Sequence, residues 1–222
     1  MGAVRGAFLS GGQSFDAALS AVERELIDGL HSPARIQEFL DSIPYSADEF
    51  YRCPLRVVHD RTAHCFDGAV FAAAALRRIG FPPLILDLLS NGRDDEHLLA
   101  LFKIERRWGA VAKSNFAGLR FREPVYRSLR ELAMSYFEQY YNTAREKTLR
   151  GYAGPLDLKR FDRLDWMVRD EAMEAIARRT DEIRRVVLVE AAVESHLSLV
   201  DERSYRAGLI GADPKGLFKV TP

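Results

Sequence analysis

The sequence predicts an α+β protein in which one buried helix packs on a small antiparallel sheet, with further helices towards both ends of the chain. Three observations predict it. From Phe66 to Ile79 almost every position is apolar, including the four consecutive alanines 72–75, and only Asp67, Arg77 and Arg78 are charged. A helix that is apolar nearly all round is a buried one. Two apolar runs follow, Phe81–Leu88 and Leu98–Phe102, parted by the acidic stretch Asp94-Asp95-Glu96. Runs of that length read as strands buried on both faces. Helical periodicity brackets this centre on either side.

Taken in order, residues 1–13 read as a flexible lead and 14–222 as a single domain, with its core at about 50–140 and a helical extension at about 165–205. Ser14 is placed to cap a helix over Phe15–Leu30, with Phe15, Leu19, Val22, Leu26 and Leu30 on one face. Ser32-Pro33 is an N-cap followed by proline at the first helical position, opening a helix through Leu40. Asp41–Cys53 is a polar connector, and Pro54–Val58 one short helical turn. The central helix opens at Cys65 and stops at Gly80, which serves as a C-terminal cap with Pro82 and Pro83 beyond it. A helix is expected over Ser128–Tyr141, a long surface loop over Asn142–Asp165, helix again over Asp170–Val200 with a break near Thr180-Asp181, and an irregular tail from Gly208.

Composition narrows the function classes. An apolar content of 47% suits a full core. Formal net charge is zero, with 32 basic against 32 acidic residues, so a general electrostatic grip on nucleic acid is not expected. No apolar run has the length of a membrane span, and Met1–Ser14 has no sustained apolar segment of a signal peptide. Two cysteines, Cys53 and Cys65, make no disulfide framework and fit a reducing compartment, so a cytoplasmic protein is expected. No Cys-x-x-Cys, His-Glu-x-x-His or glycine-rich phosphate loop is present; neither metal nor cofactor is expected.

The candidate chemistry lies at the ends of the central elements. Cys65 stands at a helix start, where unpaired N–H groups and the positive end of the dipole favour a thiolate. His97 stands at a strand mouth, where an imidazole can serve as base to a neighbouring thiol. Read singly, each has a bland alternative: a small core thiol and a satisfied structural histidine. Together, the run from Asp60 to Ala69, the helix ending Leu76–Pro82 and the strand after it resemble the transglutaminase-like superfamily of cysteine enzymes, over roughly residues 50–120. That resemblance implies Cys65 as nucleophile and His97 as base, a segment near Pro54–Val58 lining the groove, and a third residue on the next strand that orients the histidine.

The superfamily's aspartate is missing there. The chain has Arg107–Asn115, with Trp108 but no acid. If Glu105-Arg106 is a two-residue hairpin tip, Ser114 falls opposite His97; one residue more in the loop brings Asn115 there. Asparagine is the better orienter of an imidazole, so Asn115 is taken as the third member. Arg120 and Arg122, two apart on an extended segment, point the same way and are candidates for binding a substrate carboxylate or phosphate, with ion pairing to nearby acids as the bland alternative. The expected function is thiol-dependent acyl transfer or hydrolysis on a peptide or amide-bearing substrate. A catalytically inactive binding module on the same scaffold is the alternative, and a core thiol without function a third.

Overall fold

The computed structural model describes residues 11–220. The expected helix over 15–30 is two: α1 (Gly11–Ala18) and α2 (Ala21–Asp28). Ser20 divides them, because Glu23 three residues on completes a capping box: Ser20 Oγ accepts from Glu23 N at 3.4 Å and Glu23 Oε2 from Ser20 N at 2.8 Å. α3 (Pro33–Ser42) opens as expected, with Ser32 accepting from Arg35 N. α4 (Pro54–Asp60) extends the expected short turn, with Cys53 at its N-cap and Pro54 as its first residue.

α5 (Cys65–Arg78) is the central helix. Ala72, Ala73 and Ala74 have no exposure and Ala75 4%. Side chains this small let the helix backbone lie close on a sheet, while Val70, Phe71 and Leu76, also fully buried, each contribute roughly 1.5–3 kcal/mol of apolar burial. The far end is pinned by the bidentate pair of Arg77 with Asp162 (2.6 and 2.8 Å), whose Oδ1 also accepts from Trp166 Nε1 at 3.0 Å.

The strands are β1 (Leu84–Ser90), β2 (His97–Ile104), β3 (Arg107–Val111) and β4 (Arg122–Tyr126), then α6 (Leu129–Met134) and β5 (Leu149–Asp157), then α7 (Glu171–Asp181), β6 (Arg185–Val187), α8 (Ala191–Glu194) and α9 (Glu202–Gly208). Among the described residues they form a six-stranded antiparallel sheet in the order β4-β3-β2-β1-β5-β6. One face, with Ile85, Leu98, Ala100, Phe102 and Val111, packs on α5. The other, with Leu86, Leu88, Leu99 and Leu101, packs on Leu132, Tyr136 and Tyr140 of the α6 region. The fold is the expected α+β class, and no described helix is long and apolar enough to cross a membrane.

The helix expected over Ser128–Tyr141 ends at Met134, before a 3-10 turn at Phe137–Gln139. Three further expectations fail, each for a physical reason. The stretch 142–165 is not a surface loop, since β5 runs through it and pairs with both β1 and β6. Gly151, which reads as a breaker, is needed there: a Cβ would lie 2.7 Å from the Val186 carbonyl oxygen. The helix expected over 170–200 breaks at Asp181, as expected near Thr180-Asp181, but it does not resume to Val200: β6 takes Arg185–Val187 and the four-residue α8 follows. Val186 and Val187 fit helical spacing, but β-branched runs favour a strand once a pairing edge is available. The tail from Gly208 is not wholly irregular either, since a 3-10 turn occupies Pro214–Gly216. Of the flexible lead expected at 1–13, residues 1–10 lie outside the described residues, and α1 already begins at Gly11.

Candidate active cleft

His64 and Asp67 set the start of α5. The His64 ring accepts from Asp67 N through Nδ1, and Asp67 accepts from His64 N, both at 3.3 Å. Burial pushes the His64 imidazolium down to about 4, which keeps the ring in the neutral form that an accepting Nδ1 requires. Asp67 is fully buried and also accepts from Arg52 N at 2.8 Å. Arg52, 4% exposed, donates from Nε to Asp60 at 2.9 Å and pairs with Asp48. That network holds the connector 44–53 against α5, and the connector, rather than Pro54–Val58, lines the cleft.

Cys65 is the first residue of α5 and floors a cleft of about 390 Å³. Its Sγ donates to the Glu96 carbonyl at 3.7 Å. The Leu98 N–H and the Tyr45 hydroxyl also approach the sulfur. The thiol therefore sits at the mouth of β2, where β3 no longer runs alongside. Burial pushes it up to about 12; the neighbouring Asp95 and Asp87 add to that push, and Tyr45 and Leu98 oppose it only in part. Both cysteines are free thiols.

His97 lies on the other face of the sheet. It pairs across the ladder with Leu88, and its Nε2 is 2.8 Å from the Leu119 carbonyl. A carbonyl only accepts, so Nε2 carries the proton and Nδ1 is bare. Burial holds the imidazolium down to about 4. His97 and Cys65 border one small chamber of about 40 Å³, without a hydrogen bond between them.

The hairpin tip is Glu105-Arg106, both in the left-handed region (φ 45° and 64°), and Ile104 pairs with Arg107. Continued, that register would set Ser114 opposite His97. The ladder ends at Ala100–Val111, however, because Gln37 takes both backbone groups of Ala112 at 3.0 Å and Lys113 turns its ammonium to the Leu40 and Ile43 carbonyls at 2.7 and 2.6 Å. Asn115 borders the same small chamber as Cys65 and His97, with its amide bonded to Asp213 and no hydrogen bond to the imidazole. Its Nδ2 donates to Asp213 O and its Oδ1 accepts from Asp213 N, both at 2.7 Å.

Nor do Arg120 and Arg122 share a direction. Arg120 closes a 3-10 turn and pairs with Asp41 at 2.9 Å. Arg122 donates to Ser135 Oγ and to the Gly118, Phe121 and Ser135 carbonyls, with its guanidinium 3.8 Å from the Tyr136 ring centroid. Neither is placed to bind a substrate in the Cys65 cleft.

Four features of the cleft were not read from the sequence: Tyr45, Asp87, Asp181 and the segment Lys215–Phe218. Asp87 was the legible one, a lone acid inside the apolar run of β1. It is 3% exposed, its Oδ1 has no hydrogen-bond partner, and burial and the nearby Glu96 push its carboxyl well up. Among the described residues, no group of three His, Cys, Asp or Glu side chains is placed to hold a metal ion.

No protein-family model and no curated protein matches the chain. Solved structures similar to it include Legionella pneumophila LapG. The calcium-bound form is 16% identical with a TM-score of 0.35, over 48% of this chain and 72% of that one. The EGTA-treated form is 15% identical at 0.38, over 76% and 98%. A further LapG structure is 14% identical at 0.39, again over 76% and 98%. At such values the likeness carries no inference about chemistry.

Proposed function

We propose that this chain is a recognition module, with a cleft floored by Cys65 that holds an extended peptide or amide-bearing ligand. One observation carries the reading: the thiol gives its hydrogen bond to a backbone carbonyl and to neither nearby imidazole, His64 Nδ1 being engaged at the helix start and His97 Nε2 at Leu119. A thiol pushed up to about 12 is protonated at neutral pH and is a poor nucleophile. The walls supply what recognition needs, the aromatic rings of Tyr45, Tyr51 and Phe66 against the carboxylates of Asp95 and Asp181. Two unpaired cysteines favour a cytoplasmic setting.

A second reading, thiol-dependent acyl transfer or hydrolysis, is favoured by the bare Nδ1 of His97 on the shared chamber. In it, Cys65 leaves the Glu96 carbonyl, passes its proton to Nδ1 and attacks the substrate carbonyl; the Leu98 N–H and Tyr45 hydroxyl hold the oxyanion, and the proton returns to the leaving amine.

Alkylation of Cys65 by iodoacetamide against pH separates the two, with Cys53→Ser as background. Recognition predicts a rate that climbs only above pH 9 and is unchanged in His97→Gln. A plateau below pH 8 that collapses in His97→Gln would establish the enzyme instead.

A further inference from the structure

The segment after α9 does not leave the protein. Asp213 is held through both backbone groups by the Asn115 side chain, at 2.7 Å each. Farther on, the Phe218 carbonyl accepts from Thr143 Oγ1 at 3.2 Å. Between these moorings Lys215, Gly216, Leu217 and Phe218 line the same cleft as Cys65. The backbone passes its narrowest point at Gly216. A Cβ there would lie 2.6 Å from Tyr45 Cδ1 and 3.1 Å from Asn115 Nδ2, and contacts below 3.0 Å force a ring or the chain to move. Tyr45 is the residue whose hydroxyl lies on the sulfur. A residue larger than glycine thus meets a wall of the cleft that Cys65 floors. Lys215, one residue earlier, faces a cleft that also contains Asp87, Asp95, Glu96 and Asp181.

We propose that the Cys65 cleft is a binding site for a chain of the form cation–glycine–apolar–aromatic whose first two residues close a tight turn, and that Lys215-Gly216-Leu217-Phe218 is its resident intramolecular ligand. The proposal deepens the recognition reading and rests on it for the nature of the ligand. The cleft is closed in cis, and an external peptide of the same form gains entry by displacing the strap from two side-chain moorings. This gives Asn115 a role as positioning residue for the strap.

The test uses the full chain with Cys53→Ser and reads Cys65 alkylation by iodoacetamide at pH 9.5. Gly216→Val expels the strap, and Asn115→Ala unmoors it without adding bulk. Each is expected to raise the rate about tenfold or more, the factor that corresponds to about 1.4 kcal/mol of closure, with the native circular-dichroism spectrum retained. A synthetic peptide spanning residues 212–219 then restores protection to the Gly216→Val protein, while the same peptide carrying valine for glycine does not. Unchanged rates in both variants would overturn the strap. Equal protection by both peptides would overturn the glycine requirement and with it the stated ligand. The pH profile of the opened Gly216→Val protein keeps the two readings apart: a plateau below pH 8 would remove the recognition reading while leaving the strap in place.

Discussion

Gly68 is the point at which α5 touches the chain beyond β3, and replacing it tests whether that contact sets the position of the thiol. A Cβ at residue 68 would lie 2.2 Å from Lys113 Cβ and 3.2 Å from its Cγ. The first is a backbone-proximal atom, so no rotamer change relieves it. The Lys113 ammonium is fixed by the Leu40 and Ile43 carbonyls, so that strand end cannot retreat without losing two hydrogen bonds. Gly68→Ala gains up to about 1 kcal/mol of helix propensity. Against this stands overpacking at about 1–3 kcal/mol and one or two weakened hydrogen bonds at about 1 kcal/mol each. The net expectation is a loss of about 2 kcal/mol, read as a lower urea midpoint at unchanged slope. Pairing the change with Lys113→Gly removes the clashing atom, so the double variant should lose less than the sum of the two single losses. A Gly68→Ala protein as stable as the parent, or strict additivity in the cycle, would refute the contact.

Asp67→Ala should cost about 3 kcal/mol in urea unfolding, because it leaves the Arg52 and His64 N–H groups unpaired in a buried place. Asp67→Asn keeps an accepting oxygen and should cost less, and equal stability of parent and alanine variant would dismiss the network. Acid should weaken the fold through His97. Its pKa is depressed to about 4 in the native state from 6.5, so the unfolded chain takes up the proton first as pH falls. The stability it contributes is complete above pH 6.5 and lost towards pH 4, amounting to about 3 kcal/mol; His64 shifts in the same direction. Urea midpoints at pH 7 and pH 4.5 should therefore differ less in His97→Gln than in the parent, and parallel shifts in both would exclude His97 as a source.

The central elements were legible because their signals are local and strong. α5 follows from an apolar run with a glycine stop and α3 from Ser32-Pro33, whereas the hairpin tip at Glu105-Arg106 was one of two alternatives and the choice of Asn115 required the longer loop. Partners across the sheet were not legible, since pairing depends on which edge is free. β5 carries two glycines and a proline, and β6 is three residues long, so neither stands out until β1 offers an edge. Within the site, the place of Cys65 at the helix start was readable. The face on which His97 lies was fixed by the β1–β2 register, which no sequence signal sets. Asn115 was singled out for its chemistry, and two hydrogen bonds to Asp213, ninety-eight positions away, gave that chemistry a different object.

The four alanines of α5 have a mechanical consequence. A helix seated this closely against β1 and β2 has no gap to yield into, and its amides should exchange with solvent only when the whole protein opens. The strap is held to the rest of the protein instead by side-chain bonds from Asn115 and Thr143, which break at a far smaller cost. The cleft thus has a stiff floor and a compliant rim. Local opening can therefore move the rim while Cys65 keeps one position on the floor.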